Sequence, residues 1–254
     1  MADQLNGTTA LVTGASSGIG EATARMLAEQ GATVALVARR KERLDQLAQD
    51  ITRAGGRALV VETDVAENVR AQYAVERTVS ELGRLDILVN DAGVGFLGPI
   101  ESAPIDEWDQ MVRVNLMGAL YTTHAAIPHL IKAAKDSPRQ VADLVNVSSV
   151  AGRRHYSGGG VYEATKFGLG AFSESLRREI TRRHVRVALV EPGAVATEIA
   201  SHEREEVREQ VMQQFSGFET LDAKDIADAI RYIVTRPRRV AVNELLILPT
   251  EEEY

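Results

Sequence analysis

Thr13-Gly14-Ala15-Ser16-Ser17-Gly18-Ile19-Gly20 is the stretch on which the fold assignment turns. Before it, Thr9-Ala10-Leu11-Val12-Thr13 reads as a strand. After it, Ile19, Ala22, Thr23, Met26 and Leu27 recur at helical spacing, and Gly31 fits a helix stop. A glycine turn between a first strand and a helix lets backbone approach a pyrophosphate. The helix end adds unpaired N–H groups and a positive dipole. Such a turn alone is a weak sign, and its place in the chain strengthens it. Gly14, Ser16, Ser17, Gly18, Ile19 and Gly20 are therefore candidate contacts for a dinucleotide.

Outward from this turn, apolar β-branched runs alternate with helical segments. Strands are expected at Ala32–Ala38, Ala58–Val61, Asp86–Asn90, Leu144–Val147, Val185–Val190 and Glu244–Leu248. Between them, Leu44, Leu47, Ala48 and Ile51 stripe one helix, and Val69, Val75, Val79 and Leu82 another. A long helical stretch starts near Ile105, and a further helix runs from Tyr162 to about Arg182. Strands joined by helices imply right-handed crossovers and a parallel sheet covered on both faces. The expectation is an α/β, Rossmann-type doubly wound sheet forming a single domain over residues 1–254.

Composition narrows the function. The chain has 36 Asp plus Glu against 29 Lys plus Arg, which argues against nucleic acid as partner. With no cysteine there is neither a disulfide scaffold nor a thiolate metal site or nucleophile. No metal is expected. The first residues carry no basic and apolar leader, and no apolar run approaches the roughly 18 residues of a membrane span, so a cytoplasmic protein is expected.

The end of the second strand distinguishes cofactors. An acidic residue about 20 positions past the glycines would hold the 2′-hydroxyl of NAD, whereas arginine accommodates the 2′-phosphate of NADP. Here Ala38 is followed by Arg39-Arg40, with no carboxylate until Glu42. A charge-assisted hydrogen bond is worth roughly 1.5–3 kcal/mol, or about ten- to a hundredfold in affinity. The same arginines can also simply open the next helix. Asp64-Val65 ends the third strand, where the carboxylate can face an adenine amino group or cap the helix beginning near Glu67.

The chemistry lies further along. Ser148-Ser149 closes the fifth strand, and Tyr162 and Lys166 follow after Ser157-Gly158-Gly159-Gly160. A spacing of four puts the tyrosine and the lysine on one helical face. An unperturbed tyrosine titrates near pH ~10. A unit charge ~4 Å away at an effective dielectric near ~20 contributes roughly 4 kcal/mol, so Lys166 can bring Tyr162 towards neutrality. The plain alternative is a packing stripe of Tyr162, Leu169, Phe172 and Leu176. Asn115 shares a helical stripe with Trp108, Val112, Ala119 and Thr122, so its carboxamide should point inward. It either bonds backbone or anchors a water chain leading to Lys166.

Taken in order, these residues resemble the short-chain dehydrogenase/reductase family over essentially the whole chain. Thr13 to Gly20 has the family's T-G-x-x-x-G-x-G form, and Asn90-Asp91-Ala92-Gly93 stands where the family has N-N-A-G. Asn115, Ser149, Tyr162 and Lys166 match its catalytic tetrad. Glu191-Pro192-Gly193-Ala194-Val195-Ala196-Thr197 matches the segment that covers nicotinamide. The resemblance implies an NADP(H)-dependent oxidoreductase interconverting a carbonyl, ketone or aldehyde, and an alcohol. Ser149 would bond the carbonyl oxygen, Tyr162 would act as general acid/base, Lys166 would tune the tyrosine and hold ribose, and Asn115 would hold a relay water. Asn90, Ala92, Gly93, Pro192, Gly193, Val195 and Thr197 would join the cofactor site with Arg39, Arg40, Asp64 and Val65.

The Tyr-x-Ala-Thr-Lys box and the ending Asn243 to Thr250 are similar to bacterial NADP-dependent 3-hydroxy-acid and serine dehydrogenases and to clavulanate-pathway aldehyde reductases. Such relatives imply a homotetramer acting on a small molecule. Asp91 departs from the family motif; backbone contacts there should survive and leave cofactor binding little changed. Arg153, Arg154 and His155 either read a substrate carboxylate or form a solvated loop. The segment Glu198 to Phe218, with Val211, Met212 and Phe215, is read as a helix over the site or a packing helix. The rival function is an NADP(H)-binding regulatory sensor without turnover, against which the complete set Ser149, Tyr162 and Lys166 speaks.

Overall fold

The computed structural model describes residues 4–198 and 217–253. The strands are β1 (Thr9–Thr13), β2 (Thr33–Ala38), β3 (Arg57–Glu62), β4 (Ile87–Asn90), β5 (Ala142–Val147), β6 (Val185–Pro192), β7 (Val195–Ala196), β8 (Leu221–Asp222) and β9 (Glu244–Ile247). All but β7 and β8, which pair with each other, form one parallel sheet of order β3-β2-β1-β4-β5-β6-β9. The order reverses between β1 and β4, so the crevice for a ligand opens above their carboxyl ends. The helices are α1 (Gly18–Glu29), α2 (Lys41–Arg53), α3 (Asn68–Leu82), α4 (Ile105–Met111), α5 (Ala119–Asp136), α6 (Gly160–Ile180) and α7 (Ala223–Val234).

Side-chain alternation along buried β1 builds the two cores. Ala10 and Val12 face Leu27 of α1, Leu44 and Ile51 of α2, and Ile226 and Ile230 of α7. Leu11 faces the other way, towards Val75 of α3, Leu130 of α5 and Leu176 of α6. Each such side chain removed from water stabilises the fold by roughly 1.5–3 kcal/mol. Both faces are covered, which is why the strands read as continuous apolar runs.

Three expectations need revision. Val69 does not join the α3 stripe; it lies in the helix's first turn, 79% exposed, and the buried face begins at Ala71. The stripe through Val112 and Asn115 also fails as a regular helix: residues Val112–Gly118 form a π-helical segment between α4 and α5. Its wider turn breaks the 3.6 period, leaving Val112 exposed while Asn115 is buried. Helix α7 and the β7–β8 pair stand outside what the sequence led us to expect. The start of α7 is a reciprocal cap in which the Asp222 N–H donates to Asp225 Oδ2 at 2.8 Å.

The amino edge of the sheet is held by buried ions. Arg186 Nε donates to Asp143 Oδ1 at 2.7 Å, and its other nitrogens donate to the carbonyls of Val234, Arg236, Pro237 and Val240. These bonds complete the α7 C-terminus and keep Asp143 paired, without which a buried carboxylate would be costly. This edge concerns stability; the opposite edge carries the site.

Candidate active site

A cavity of about 340 Å³ opens at the carboxyl ends of β1, β4 and β5. Its floor begins at the glycine turn. Gly14 has φ +71°, and a Cβ there would lie 2.9 Å from the Ala92 nitrogen. A Cβ on Gly20 would lie 2.5 Å from the Gly14 carbonyl and 2.8 Å from Asp91 Oδ2. Only hydrogen fits at either position, so the turn and the segment after β4 lie backbone against backbone. Thr13 Oγ1 ties them, accepting the Asp91 and Ala92 N–H groups at 3.0 and 3.1 Å.

Most residues singled out for a dinucleotide line this cavity: Gly14, Ser16, Ser17, Gly18, Ile19, Arg39, Arg40, Asp64, Val65, Ala92, Gly93, Tyr162, Lys166, Pro192, Gly193, Val195 and Thr197. Gly20 and Asn90 are not on its wall. Gly20 contributes its N–H to the Asp91 carboxylate. Asn90 turns inward, donating to Asn146 Oδ1 at 2.9 Å and Thr123 Oγ1 at 3.0 Å and accepting from Thr122 Oγ1 at 2.7 Å. Its side chain braces β4 against β5 and α5. Asp64 Oδ1 accepts the Ala66 N–H at 3.0 Å, while Glu67 occupies the cap position of α3. The cap explanation for Asp64 therefore fails, and Asp64 faces the cavity.

At the far wall the polar side chains converge. Ser149 follows β5, caps a short 3₁₀ turn by accepting the Ala151 N–H at 3.1 Å, and hydrogen-bonds the Tyr162 phenol. Lys166, one turn along α6, is buried; its Nζ donates to the Val147 carbonyl at 3.1 Å and sits 5.6 Å from the Tyr162 ring centroid. Asn115 lies behind this wall. Its Oδ1 accepts the Val94 N–H at 2.8 Å, and its Nδ2 donates to the Val94 carbonyl at 2.9 Å and to Thr165 Oγ1 at 3.3 Å. Of the two roles open to Asn115, the backbone bond is present.

Electrostatics here differ from the simple lysine–tyrosine picture. Burial pushes the Tyr162 phenol up, the Ser149 hydrogen bond pulls it back, and the Asp91 charge adds to the rise. Lys166 is itself lowered by burial to about 8, with Asp91 opposing that fall. Asp91 is raised by burial to about 7, against the pull of Lys166 and the Gly20 N–H. The acidic residue that stands where the family has asparagine thus supports the charge on Lys166 while adding to the rise at the phenol. Its charge must be paired or protonated, and this pocket offers both.

The loop after Ser149 is turned away from the cavity. Arg153 binds buried Glu191, with Nε donating to its Oε2 at 2.6 Å, and also Glu244; Arg154 donates to the Glu253 carbonyl. These contacts supply protein partners for both arginines, while Arg153 and His155 stay exposed, as a solvated loop would have them. His155 Nδ1 meets Glu163 Oε2 at 2.9 Å and stacks on Phe167. Glu163, next to Tyr162, also accepts the Tyr156 N–H at 2.8 Å, so it fastens this loop to α6. Nothing in its sequence context marks Glu163 for that task. Gly98 N–H donates to the Gly158 carbonyl at 3.0 Å, joining this loop to the one after β4. Glu198 also lines the cavity, a residue the sequence reading placed only in the segment beyond it. Residues 199–216 of that segment, Val211, Met212 and Phe215 included, lie outside the described residues.

Residues 8–208 match the family model for short chain dehydrogenase, and the chain belongs to that family of oxidoreductases. It is 35% identical over 240 residues to an uncharacterized oxidoreductase of Staphylococcus epidermidis, covering 94% of this chain and 96% of that one. It is 37% identical over 248 residues to a glycine betaine reductase of Emericella nidulans, covering 98% of this chain but only 19% of that much longer protein. The closed form of a serine dehydrogenase complexed with NADP+ superposes with a TM-score of 0.88 at 30% identity, over 97% of each chain. Other solved relatives are complexes with NADP, NADH or NAD. Among the described residues, no helix is long and apolar enough to cross a membrane, and no group of His, Asp or Glu is placed to hold a metal.

Proposed function

We propose that residues 1–254 form one domain that binds NADP(H) and interconverts a carbonyl and an alcohol. One observation carries the reading: Ser149, Tyr162 and Lys166 converge on the wall of the cavity whose floor is the glycine turn. The cavity suits a dinucleotide. Side chains are excluded at Gly14, the start of α1 meets the cavity at Gly18, and Arg40 stands at the end of β2 with its guanidinium against Ser16 and Ser17. Gly14, Ser17, Gly18 and Ile19 would hold the pyrophosphate, Arg39 and Arg40 the 2′-phosphate, Asp64 and Val65 the adenine. Ala92, Gly93, Pro192, Gly193, Val195 and Thr197 would enclose the nicotinamide half.

When bound, the nicotinamide supplies or accepts the hydride. Tyr162 holds the proton at its phenolic oxygen and donates it to the developing alkoxide; in oxidation it takes the proton back. Ser149 orients both the phenol and the substrate oxygen. Lys166 holds positive charge beside the phenolate side of that exchange; burial lowers its hold on that proton, and Asp91 opposes the loss. Asn115 fixes the Gly93–Val94 wall. A small 3-hydroxy acid, ketone or aldehyde is the substrate class, supported by the likeness to a serine dehydrogenase. Because Arg153 and Arg154 are engaged elsewhere, acidic and neutral substrates do not differ through them. A cytoplasmic location, and a homotetramer that rests on family likeness alone, complete the reading.

NADPH consumption would be followed with β-keto acids, β-keto esters, aldehydes and cyclic ketones, beside an NADH arm. Turnover favouring NADPH supports the reading. Tight NADPH binding with no turnover on any class would favour the sensor.

A further inference from the structure

Arg40 and Arg43 share one carboxylate. Arg40 Nη1 donates to Glu198 Oε2 at 2.8 Å, and Arg43 Nη1 donates to Glu198 Oε1 at 2.6 Å. The remaining Arg40 nitrogens face the glycine turn: Nε and Nη2 donate to Ser16 Oγ at 3.0 and 2.9 Å, and Nη2 to Ser17 Oγ at 2.6 Å. Glu198 follows Thr197 at the cavity rim, 158 positions along the chain from Arg40. An anion supplied by the protein itself therefore occupies the fork that would receive the anion of a 2′-phosphorylated nucleotide.

We propose that Glu198 is a specificity-determining residue, an internal anion that holds Arg40 of the 2′-phosphate site together with the neighbouring Arg43 in the free protein and must yield both when a 2′-phosphorylated dinucleotide binds. This rests on the NADP(H) reading above and deepens it. A phosphate monoester carries about −1.5 to −2 charges near neutrality and three acceptor oxygens, so two guanidinium groups match it better than they match one carboxylate. An NAD ribose brings no such charge and leaves the Glu198 bridge in place. Both arginines hold the Glu198 carboxyl down at about 2, so the competitor is ionised at every usable pH. Glu198 and Arg40 are 40% and 45% exposed, so water and salt screen their attraction and the effect on binding is modest.

The test is calorimetric titration of the intact protein and the Glu198→Gln variant with 2′,5′-ADP, 5′-ADP, NADPH and NADH. Glu198→Gln is expected to tighten 2′,5′-ADP and NADPH by roughly two- to tenfold, the range two exposed ion pairs can carry. Binding of 5′-ADP and NADH should stay within about twofold. Adding Arg43→Ala to Glu198→Gln should shrink that gain, because only Arg40 is then released to meet the phosphate. If the unmodified protein prefers NADPH and Glu198→Gln leaves that affinity unchanged or weaker, the role of Glu198 is overturned. If the unmodified protein shows no preference for the 2′-phosphate, the NADP(H) reading fails first, whatever the variant does.

Discussion

Asn115 grips the Val94 peptide from both sides, its Oδ1 accepting the N–H at 2.8 Å and its Nδ2 donating to the carbonyl at 2.9 Å. The π-helical segment aims this carboxamide at the cavity wall, and Val94 is buried. Asn115→Ala leaves a buried donor and acceptor without their partners, a loss of roughly 1–3 kcal/mol. For a chain of this size the expected fall in Tm is about 2–4 °C per kcal/mol. Scanning calorimetry reads the stability loss, and NADPH titration reads the loosened Gly93–Val94 wall as weaker binding. An unchanged Tm would mean that other groups meet the Val94 peptide.

Asp91 gives a pH signature. Burial raises it from 3.8 to about 7, so the fold favours its protonated form. That stabilising contribution is complete below pH 3.8 and is lost as pH rises through about 7. Lys166 behaves in mirror fashion: lowered from 10.5 to about 8, it burdens the fold while charged, and the burden lifts as pH climbs from 8 towards 10.5. Asp91→Asn should therefore match the unmodified protein in Tm at low pH and exceed it increasingly through pH 7. Removing the charge also takes away one cause of the raised Tyr162, so the pH optimum for alcohol oxidation should move down. NADPH affinity should stay within about threefold, since the Thr13 bonds to the Asp91 and Ala92 backbone remain. A markedly tighter complex would contradict this.

The glycine turn predicts a sharp contrast. Gly14→Ala places a methyl 2.9 Å from the Ala92 nitrogen at φ +71°, and should abolish dinucleotide binding. Gly55 has φ +89° with nothing within 4 Å of its Cβ position, so Gly55→Ala strains backbone alone and should leave binding intact. Equal binding in both variants would remove the turn from the site.

The first strand, the glycines and the Tyr162–Lys166 face were legible because period and spacing are local properties of a chain. So was the order of the sheet's strands in sequence, which the crossovers convert into a parallel array. Helix α7 also had its signal, Asp222 with Asp225 and then Ile226, Ile230 and Ile233, yet those residues follow a charged stretch that obscures the period. Asn90 misled because the motif places it beside the cofactor segment, whereas strand alternation sends its side chain to the opposite face. Glu198 was not identified as a partner of Arg40 because contacts between residues this far apart leave no local trace. Whether a lysine or an aspartate dominates at Tyr162 depends on burial in three dimensions, which spacing alone cannot supply.

Arg153 offers a check on the substrate side. Its partner Glu191 is only 2% exposed; burial raises its carboxyl, and the Arg153 bond opposes part of that rise. Arg153→Ala should lower Tm by stranding this carboxylate and leave the preference between acidic and neutral carbonyls unchanged. A shift in preference, measured as the ratio of kcat/KM values, would return Arg153 to the substrate.

The most direct measurement compares the unmodified protein with Tyr162→Phe, recording NADPH binding by titration and NADPH oxidation on a carbonyl substrate by absorbance. Loss of the phenolic proton donor should cut turnover by at least about a hundredfold while binding stays within a few-fold. Turnover that survives in Tyr162→Phe would contradict the assignment of Tyr162 as the acid and the chemistry built on it.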